Sequence, residues 1–290
     1  MVYLVVDMAQ ASRRRVTIGR GPRGRRIMGE RALIIVPVTG QPGTSANGVI
    51  GEFPPGAEHD PLEDLALECA RVASHPADLI EWRVDMFAPF QRARTLSARL
   101  SALEQGWTAV ESASVPVLAT IRTSDEGGAV TLTSQEYRAC VKALAQWADA
   151  VDVQVGAEGA VELLEELAPT SAVVVASNHD FAATPPEDEV FGTLQQMQIL
   201  GADIAKVAYA ARGPVDLLAV MNAQMRAKDA LDVPVIAIAM GIPGAMSRIA
   251  GMAVGSAATF ATVGAASAPG QFSARQVREA LDLMEAELAH

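Results

Sequence analysis

The sequence predicts an α/β fold in which eight parallel strands, each followed by a helix, close into a (β/α)8 TIM barrel. Eight short apolar runs alternate with helical patterns along the chain of 290 residues. No Gly-x-Gly-x-x-Gly motif follows the first run, which argues against a doubly wound dinucleotide-binding sheet. Half of the residues are apolar, enough for one large core, so we expect residues 31–290 to form a single barrel domain.

Residues 1–30 precede the barrel and hold seven arginines against two acidic residues. Two β-type runs, Val16–Ile18 and Arg26–Met28, flank a Gly- and Pro-rich stretch, which predicts a β-hairpin after an arginine-rich extension. The net charge of the whole chain is −11, so residues 31–290 are strongly acidic. An acidic body argues against a nucleic-acid surface, and we interpret the arginines as a solvated segment.

The barrel begins with Leu33–Val38, the first fully apolar strand. A long Gly- and Pro-rich loop, 40–60, follows this strand and is either a mobile flap or a disordered segment. A helix over 61–74 comes next, with Asp60 as its N-cap and Pro61 at the first helical position.

The second strand, Leu79–Arg83, carries charges where a buried parallel strand is normally apolar. Glu81 and Arg83 lie two residues apart, so both side chains point to one face of the sheet. Because burying either charge alone costs several kcal/mol, each needs a partner or a polar ligand. A mutual salt bridge and contact with a bound ligand are both open at this stage.

Polar residues also follow the third strand, 117–121. The segment 122–128, Arg-Thr-Ser-Asp-Glu-Gly-Gly, lies at the C-terminal end of that strand, where βα loops build sites in barrels. A helix over Ser134–Trp147 follows, with a capping-box pattern in Thr133 and Glu136. The remaining predicted helices are 93–105, 161–167, 187–201, 214–228 and 273–288, and the remaining strands are 150–155, 172–176, the run around Lys206, Val235–Met240 and 257–263.

Lys206 lies in the middle of an apolar stretch, 201–209, whose sequence is Gly-Ala-Asp-Ile-Ala-Lys-Val-Ala-Tyr. The other two lysines, Lys142 and Lys228, occupy polar positions of helical patterns. A lysine buried on a strand loses hydration of its ammonium form, so its pKa falls and the free amine can attack a carbonyl to form a Schiff base. The alternatives are a side chain that snorkels to solvent or one that pairs with a carboxylate.

His179 closes the fifth strand, in the motif Ser-Asn-His-Asp-Phe at 177–181. The other three histidines lie in or beside loops or at the C-terminus. Imidazole titrates near neutrality, which suits a proton shuttle. The distance along the chain from His179 to Lys206 is 27 residues, or one βαβ unit. We therefore expect the two side chains on adjacent parallel strands, at the same end of the barrel.

The cysteines and apolar runs indicate the compartment. Cys69 and Cys140 lie far apart in helical patterns, which is typical of reduced thiols and not of a disulfide framework or metal site. The apolar run 1–8 precedes the arginines, the reverse of a signal peptide. The uncharged run 250–268 consists mainly of small residues, which suit internal packing better than lipid. We expect a cytoplasmic protein without a membrane partner.

Several motifs occur in a fixed order along the chain: Glu81-x-Arg83, Arg122-Thr123 with Glu126-Gly127-Gly128, Ser177-x-His179-Asp180-Phe181, Asp203-Ile204-x-Lys206, Ser247-Arg248, Gly255–Phe260 and 267–271. Together they resemble the type I 3-dehydroquinate dehydratase family over about residues 33–290, a specific combination although each motif alone is weak. The resemblance implies a (β/α)8 barrel whose floor is closed by an N-terminal hairpin. It implies a lyase without metal or cofactor, commonly a homodimer, that dehydrates 3-dehydroquinate to 3-dehydroshikimate in the shikimate pathway of aromatic amino acid biosynthesis.

The same resemblance implies roles for individual residues. Lys206 would form an imine with the C3 carbonyl of the substrate, which makes the C2 proton removable. His179 would take that proton and return it to the departing C1 hydroxyl, and Glu126 would orient and charge His179. Arg248 would bind the substrate carboxylate, and Ser267 and Gln271 would lie on a loop that closes over the site. The full set of substrate-binding positions is Glu81, Arg83, Arg122, Arg248, Ser267 and Gln271.

Three features depart from the family pattern. The loop 40–60 is long, the loop 241–244 lacks a charged residue, and Gln154 stands where many members carry a glutamate. The last difference leaves the charge balance near Lys206 open. Two other functions are also open: a class I aldolase-like barrel, which would use an imine lysine to break a carbon–carbon bond, and a non-catalytic barrel that serves as a binding module.

Overall fold

The computed structural model describes residues 15–41, 59–264 and 270–288. The strands in these residues are β1 (Val16–Ile18), β2 (Arg26–Met28), β3 (Leu33–Val38), β4 (Leu79–Arg83), β5 (Val117–Thr120), β6 (Ala150–Gln154), β7 (Val173–Asp180), β8 (Ile204–Ala210), β9 (Val235–Met240) and β10 (Ala258–Phe260). The α-helices in the same residues are α1 (Pro61–Val72), α2 (Ala88–Arg92), α3 (Leu96–Val110), α4 (Ser134–Trp147), α5 (Ala160–Leu167), α6 (Glu187–Ile199), α7 (Pro214–Ala230), α8 (Met246–Ala250) and α9 (Ala274–Leu288).

Strands β3 to β10 form one parallel sheet in which each strand from β3 to β8 pairs with the next, and β10 pairs with β3. The backbone N–H of Ala257 donates a hydrogen bond to the carbonyl of Val235 at 2.9 Å, which joins the remaining two edges next to β9 and β10. The sheet therefore closes on itself, with helices between successive strands. The predicted (β/α)8 barrel is confirmed.

The predicted hairpin is also confirmed, since β1 and β2 pair antiparallel with Val16 opposite Met28. Asp149, which directly precedes β6, anchors the hairpin to the N-terminal end of the barrel. Its carboxylate accepts hydrogen bonds from the backbone N–H of Arg20 and from Nε of Arg23, both at 2.8 Å, and from the backbone N–H of Val117 at 3.0 Å. The hairpin thus lies across the floor of the barrel, opposite the C-terminal strand ends.

Helix starts follow the capping signals. Asp60 accepts a hydrogen bond from the backbone N–H of Leu62, and Thr133 and Glu136 form the expected capping box. The helix predicted over 93–105 instead begins at Leu96 and runs to Val110, because the Thr95 hydroxyl accepts from the N–H of Ala98 and caps it there. The separate short helix α2, Ala88–Arg92, precedes this helix.

Two strand predictions differ from the structure by more than one residue. The fifth barrel strand was expected over 172–176, but β7 continues to Asp180 because it keeps pairing with β8 as far as Tyr209. His179 therefore lies within the strand and is held by sheet hydrogen bonding. The last strand was expected over 257–263, and β10 covers only Ala258–Phe260.

The large apolar side chains on the outer face of the sheet pack against the helices. Ile34, Ile80 and Trp82 belong to this layer, together with Leu103 of α3 and Val141 of α4. No helix in the described ranges is both long and apolar enough to span a lipid bilayer. Most of the long loop after β3, residues 42–58, lies outside the described residues, so its predicted flap or disorder stays a prediction.

Candidate active site

Lys206 and His179 project from adjacent strands into the barrel. In the pairing of β7 with β8, Lys206 is opposite Ser177 and His179 is opposite Ala208. Side chains two positions apart on a strand share a face, so His179 lies on the same inner face as Lys206, one step nearer the C-terminal end. The predicted placement on neighbouring strands at one end is confirmed.

Lys206 shares a layer of the barrel interior with three side chains from alternate strands. Its Nζ lies 3.7 Å from Oε1 of Glu81 on β4 and 3.6 Å from Oδ2 of Asp152 on β6. On the remaining side it lies 4.6 Å from the ring centroid of Phe260 on β10. Alternate strands supply the four side chains of a layer in a TIM barrel, which explains why these residues meet.

Lys206 is only 4% exposed, so it does not snorkel to solvent. The other alternative, pairing with carboxylates, is present at ion-pair distance. Burial lowers the pKa of the Lys206 amine, and Glu81 and Asp152 oppose this only in part. A larger fraction of neutral amine is therefore present near neutral pH than for an exposed lysine, as nucleophilic attack requires.

His179 is held by Glu126, which follows β5 in a single turn over Ser124–Glu126 that ends at Gly127 with φ of 76°. Nδ1 of His179 lies 2.9 Å from Oε2 of Glu126. An ionised carboxylate accepts the proton of Nδ1–H, which leaves Nε2 as the basic nitrogen. Burial lowers the pKa of His179 and raises the pKa of Glu126 to about 7. The imidazole is thus neutral and able to accept a proton near neutral pH.

Arg122 connects the two halves of the site. Its Nη1 donates to Oε2 of Glu126 and to Oγ of Ser177, both at 3.0 Å, and its Nη2 donates to Oδ2 of Asp152 at 2.9 Å. Ser177 also donates to Oδ1 of Asp152 at 2.7 Å. Although burial opposes it, Arg122 and Lys206 together hold the pKa of Asp152 below its ordinary value. One guanidinium therefore fixes the carboxylate beside His179 and the carboxylate beside Lys206.

Glu81 and Arg83 do not form the mutual salt bridge that was one alternative. Nε and Nη2 of Arg83 donate to both carboxylate oxygens of Asp85, each at 2.8 Å. Glu81 instead accepts from the hydroxyl of Thr120 at 3.0 Å and faces Lys206. Strand periodicity does not identify Asp85, because this residue lies beyond the strand on a tight turn.

Arg248 is a buried cation of a different kind. It is 5% exposed in the short helix α8, and its Nε is buried without a hydrogen-bond partner among the described residues. Burial lowers the pKa of its guanidinium to about 10. A buried charge of this sort is costly unless an anion binds to it, which makes Arg248 a suitable contact for a carboxylate.

A cavity of about 310 Å³ opens above this layer at the C-terminal end of the barrel. Met86, Met240, Phe181 and Phe260 supply much of its apolar wall. Glu126 lies behind His179, and Ser267 lies outside the described residues. The predicted site residues that line the cavity are Glu81, Arg83, Arg122, His179, Lys206, Arg248 and Gln271.

Gln154 does not take part in the charge balance around Lys206. Its side-chain oxygen accepts from the backbone N–H of Thr123 at 2.8 Å, and its nitrogen donates to the Thr123 hydroxyl at 3.1 Å. It therefore braces the loop that carries Glu126, while Glu81 and Asp152 supply the carboxylates next to the amine. Within the described ranges, no group of three or more His, Cys, Asp or Glu side chains is arranged to hold a metal ion.

Comparison with known proteins connects this site to one family. Residues 59–287 match the family model for type I 3-dehydroquinase. The 3-dehydroquinate dehydratase of Klebsiella pneumoniae is 36% identical over 213 residues, which cover 72% of this chain and 83% of that protein. The 3-dehydroquinate dehydratase of Clostridium kluyveri is 34% identical over 231 residues, or 77% of this chain and 88% of that protein.

A solved structure is similar over almost the whole chain. The type I 3-dehydroquinate dehydratase of Clostridium difficile, determined with covalently modified comenic acid, superimposes with a TM-score of 0.76 at 27% identity. The match covers 94% of this chain and 98% of that one.

Proposed function

The chain belongs to the type I 3-dehydroquinase family, and from this premise we propose that Lys206 is the amine on which its reaction takes place. The protein is a lyase that eliminates water from 3-dehydroquinate to give 3-dehydroshikimate, a step of the shikimate pathway. The aldolase-like and non-catalytic functions are not favoured, since the family model and the curated relatives agree on the dehydratase.

The observation that carries the proposal is the position of Lys206, a buried amine that lines the cavity between two carboxylates. Nζ attacks the C3 carbonyl of the substrate, and loss of water gives a protonated imine. The imine draws electrons from C2, so the proton there can be removed by a base of ordinary strength. Glu81 and Asp152 favour the cationic imine that forms at this nitrogen, and no carboxylate has to move to reach it.

His179 is proposed as the general base. Nδ1 donates to Glu126, so Nε2 takes the C2 proton and later delivers it to the C1 hydroxyl as this group leaves. The electrons of the broken C2–H bond pass to the imine and give an enamine, and they return to form the C1–C2 double bond as the C1–O bond breaks. Hydrolysis of the imine then releases the enone product and regenerates the amine of Lys206.

The remaining predicted residues are proposed to hold the substrate. Arg248 supplies a planar pair of donors for the carboxylate, and its unpartnered Nε among the described residues supports this role. Arg83 is already aligned by Asp85, and it lines the same cavity as Gln271. Glu81, Arg122 and Ser267 complete the proposed set, with Arg122 acting mainly through Glu126 and Asp152 because its donors are engaged by them.

Borohydride reduction tests the Schiff base directly. With 3-dehydroquinate present, we expect the peptide that contains Lys206 to carry a reduced secondary-amine adduct, whose mass is that of the bound substrate or product less one water and plus two hydrogens, and we expect none in Lys206→Ala. Turnover is followed in parallel by ultraviolet absorbance of the conjugated enone, with and without a chelator, which should leave the rate unchanged. The mechanism is wrong if the intact mass does not change, or if the adduct persists in Lys206→Ala.

The wider organisation of the protein is part of the same proposal. Residues 1–30 comprise the arginine-rich extension and the hairpin, and residues 31–290 form the catalytic domain. The pairing of β1 with β2 and the start of the barrel at Leu33 support this division. We also propose a cytoplasmic homodimer, in keeping with the family resemblance, and sedimentation of the purified protein tests the oligomeric state.

A further inference from the structure

The N-terminal hairpin sends two side chains into the barrel from the floor. Ile18 of β1 and Met28 of β2 are each 1% exposed, whereas Ile27, next to Met28, is 40% exposed on the outer face of the hairpin. Ile18 and Met28 belong to the apolar cluster of the barrel interior, together with Leu79 and Ile236. The hairpin is therefore packed into the barrel by one face.

Ile18 and Met28 share a small void with one side chain from each of the eight barrel strands. Seven of these strand residues are apolar, and the eighth is Lys206. The void measures about 10 Å³, at the lower limit of what a water molecule needs, and apolar voids of this size stay dry. The side of Lys206 that faces away from the substrate cavity is thus enclosed by hydrocarbon, with the hairpin as its lowest part.

We propose that Ile18 and Met28 are positioning residues for the reaction, because they close the barrel beneath Lys206 and keep water from reaching its amine through the floor. The proposal rests on the function proposed for Lys206. A smaller or more polar residue at either position would open a path for water past Ala150, the smallest of the strand residues around the void. Hydration from below would stabilise the ammonium form and reduce the fraction of neutral, nucleophilic amine.

The charged groups around Lys206 lie beside the amine or above it. Glu81 and Arg83 come from β4, Arg122 and Glu126 from the loop after β5, Asp152 from β6 and His179 from β7. These groups remain in place when the hairpin is altered, because none of their hydrogen bonds involves Ile18 or Met28. A change at the floor therefore tests hydration of the amine separately from its charged neighbours.

The test compares Met28→Gln with Met197→Gln. Both methionines are fully buried, but Met197 lies on α6 and packs outside the barrel, so the two variants share the cost of burying an amide. Competitive acetylation with trace acetic anhydride from pH 6 to 11, read by peptide mass spectrometry, gives the pKa of Lys206 in each protein. Lys142 and Lys228, the other two lysines, serve as internal references.

In Met28→Gln we expect the pKa of Lys206 to rise by roughly one unit, which leaves about tenfold less neutral amine near neutral pH. Met197→Gln and Met28→Leu should retain the wild-type value, since neither brings a polar atom under Lys206. If Met28→Gln does not fold, Ile18→Thr places a hydroxyl at the same floor with less change in volume, and Ile18→Val is its apolar control.

An unchanged pKa of Lys206 in a folded Met28→Gln or Ile18→Thr protein would overturn the proposal, as would an equal rise in Met197→Gln. Acetylation needs no substrate, so this result is independent of turnover. Failure of the proposed function appears differently, as the absence of a borohydride adduct in the wild-type enzyme.

Discussion

Replacing Arg248 by methionine should stabilise the fold and impair the enzyme. Burial lowers the pKa of the guanidinium from its ordinary value to about 10. This difference corresponds to a cost of about 3 kcal/mol for keeping the charged form in the folded protein. Because the folded-state pKa lies below the unfolded one, the cost is present in full at neutral pH and disappears only as the pH rises above about 10.

Methionine keeps an apolar stem in place of the buried guanidinium, so most of this cost is removed. After allowing for lost packing, we expect Arg248→Met to raise the free energy of unfolding by about 1–3 kcal/mol. Loss of the charge-assisted hydrogen bonds to a substrate carboxylate should cost about 3 kcal/mol in the transition state, or roughly 100-fold in kcat/KM. Stability and activity should therefore change in opposite directions.

Arg122→Met is the matched control, since Arg122 is equally buried but paired with Glu126 and Asp152. Removing Arg122 takes the hydrogen-bonded cation away from two buried carboxylates, and we expect a loss of about 3–5 kcal/mol in unfolding free energy. Urea unfolding gives the free energy of unfolding of the two variants and of wild type, and enone absorbance gives their turnover. If Arg248→Met is destabilised as much as Arg122→Met, Arg248 serves the fold and not the substrate.

Two further predictions concern the proton shuttle. His179→Ala should still form the borohydride adduct on Lys206 but lower turnover by at least ~100-fold, as expected for loss of a general base, and near wild-type rates would contradict that role. Because burial raises the pKa of Glu126 to about 7, wild-type kcat/KM should fall below that pH as the carboxylate takes up a proton and no longer accepts from His179. The glutamine side chain in Glu126→Gln cannot ionise, so this slower variant should show no such fall in kcat/KM in a pH–rate profile from 5 to 9. A fall that remains at the same pH in this variant would assign the titration to another group.

The barrel and the pair Lys206 and His179 could be predicted because they depend on local patterns. Apolar runs marked the strands, and one βαβ spacing was enough to place two side chains on neighbouring strands, as the pairing of β7 with β8 confirms. The C-terminal end of β7 was harder to predict, because the last four residues of this strand are polar and are kept in it by pairing with β8. Pairing of this kind leaves no hydrophobic periodicity in the sequence.

The partners of the charged residues were harder to predict for a related reason. Arg83 pairs with Asp85 across a tight turn, where strand periodicity no longer applies. Asp152 is separated from Lys206 by 54 positions along the chain and by a whole strand in the sheet, so neither sequence spacing nor strand pairing brings the two together. Only closure of the barrel does so.

The layered packing of side chains in a closed barrel explains why the charged groups of this site are already in position. Glu81, Asp152, Lys206 and Phe260 lie on alternate strands and form one layer. The layer above contributes Thr120 and Ser177, whose hydroxyls donate to the two carboxylates. The void below is walled by apolar side chains. Carboxylates held in this way already point at the nitrogen where positive charge develops, so imine formation requires little reorganisation of the protein. The rule that alternate strands supply one layer also allows contacts to be predicted from sequence, because polar residues at matching heights on every second strand are expected to meet.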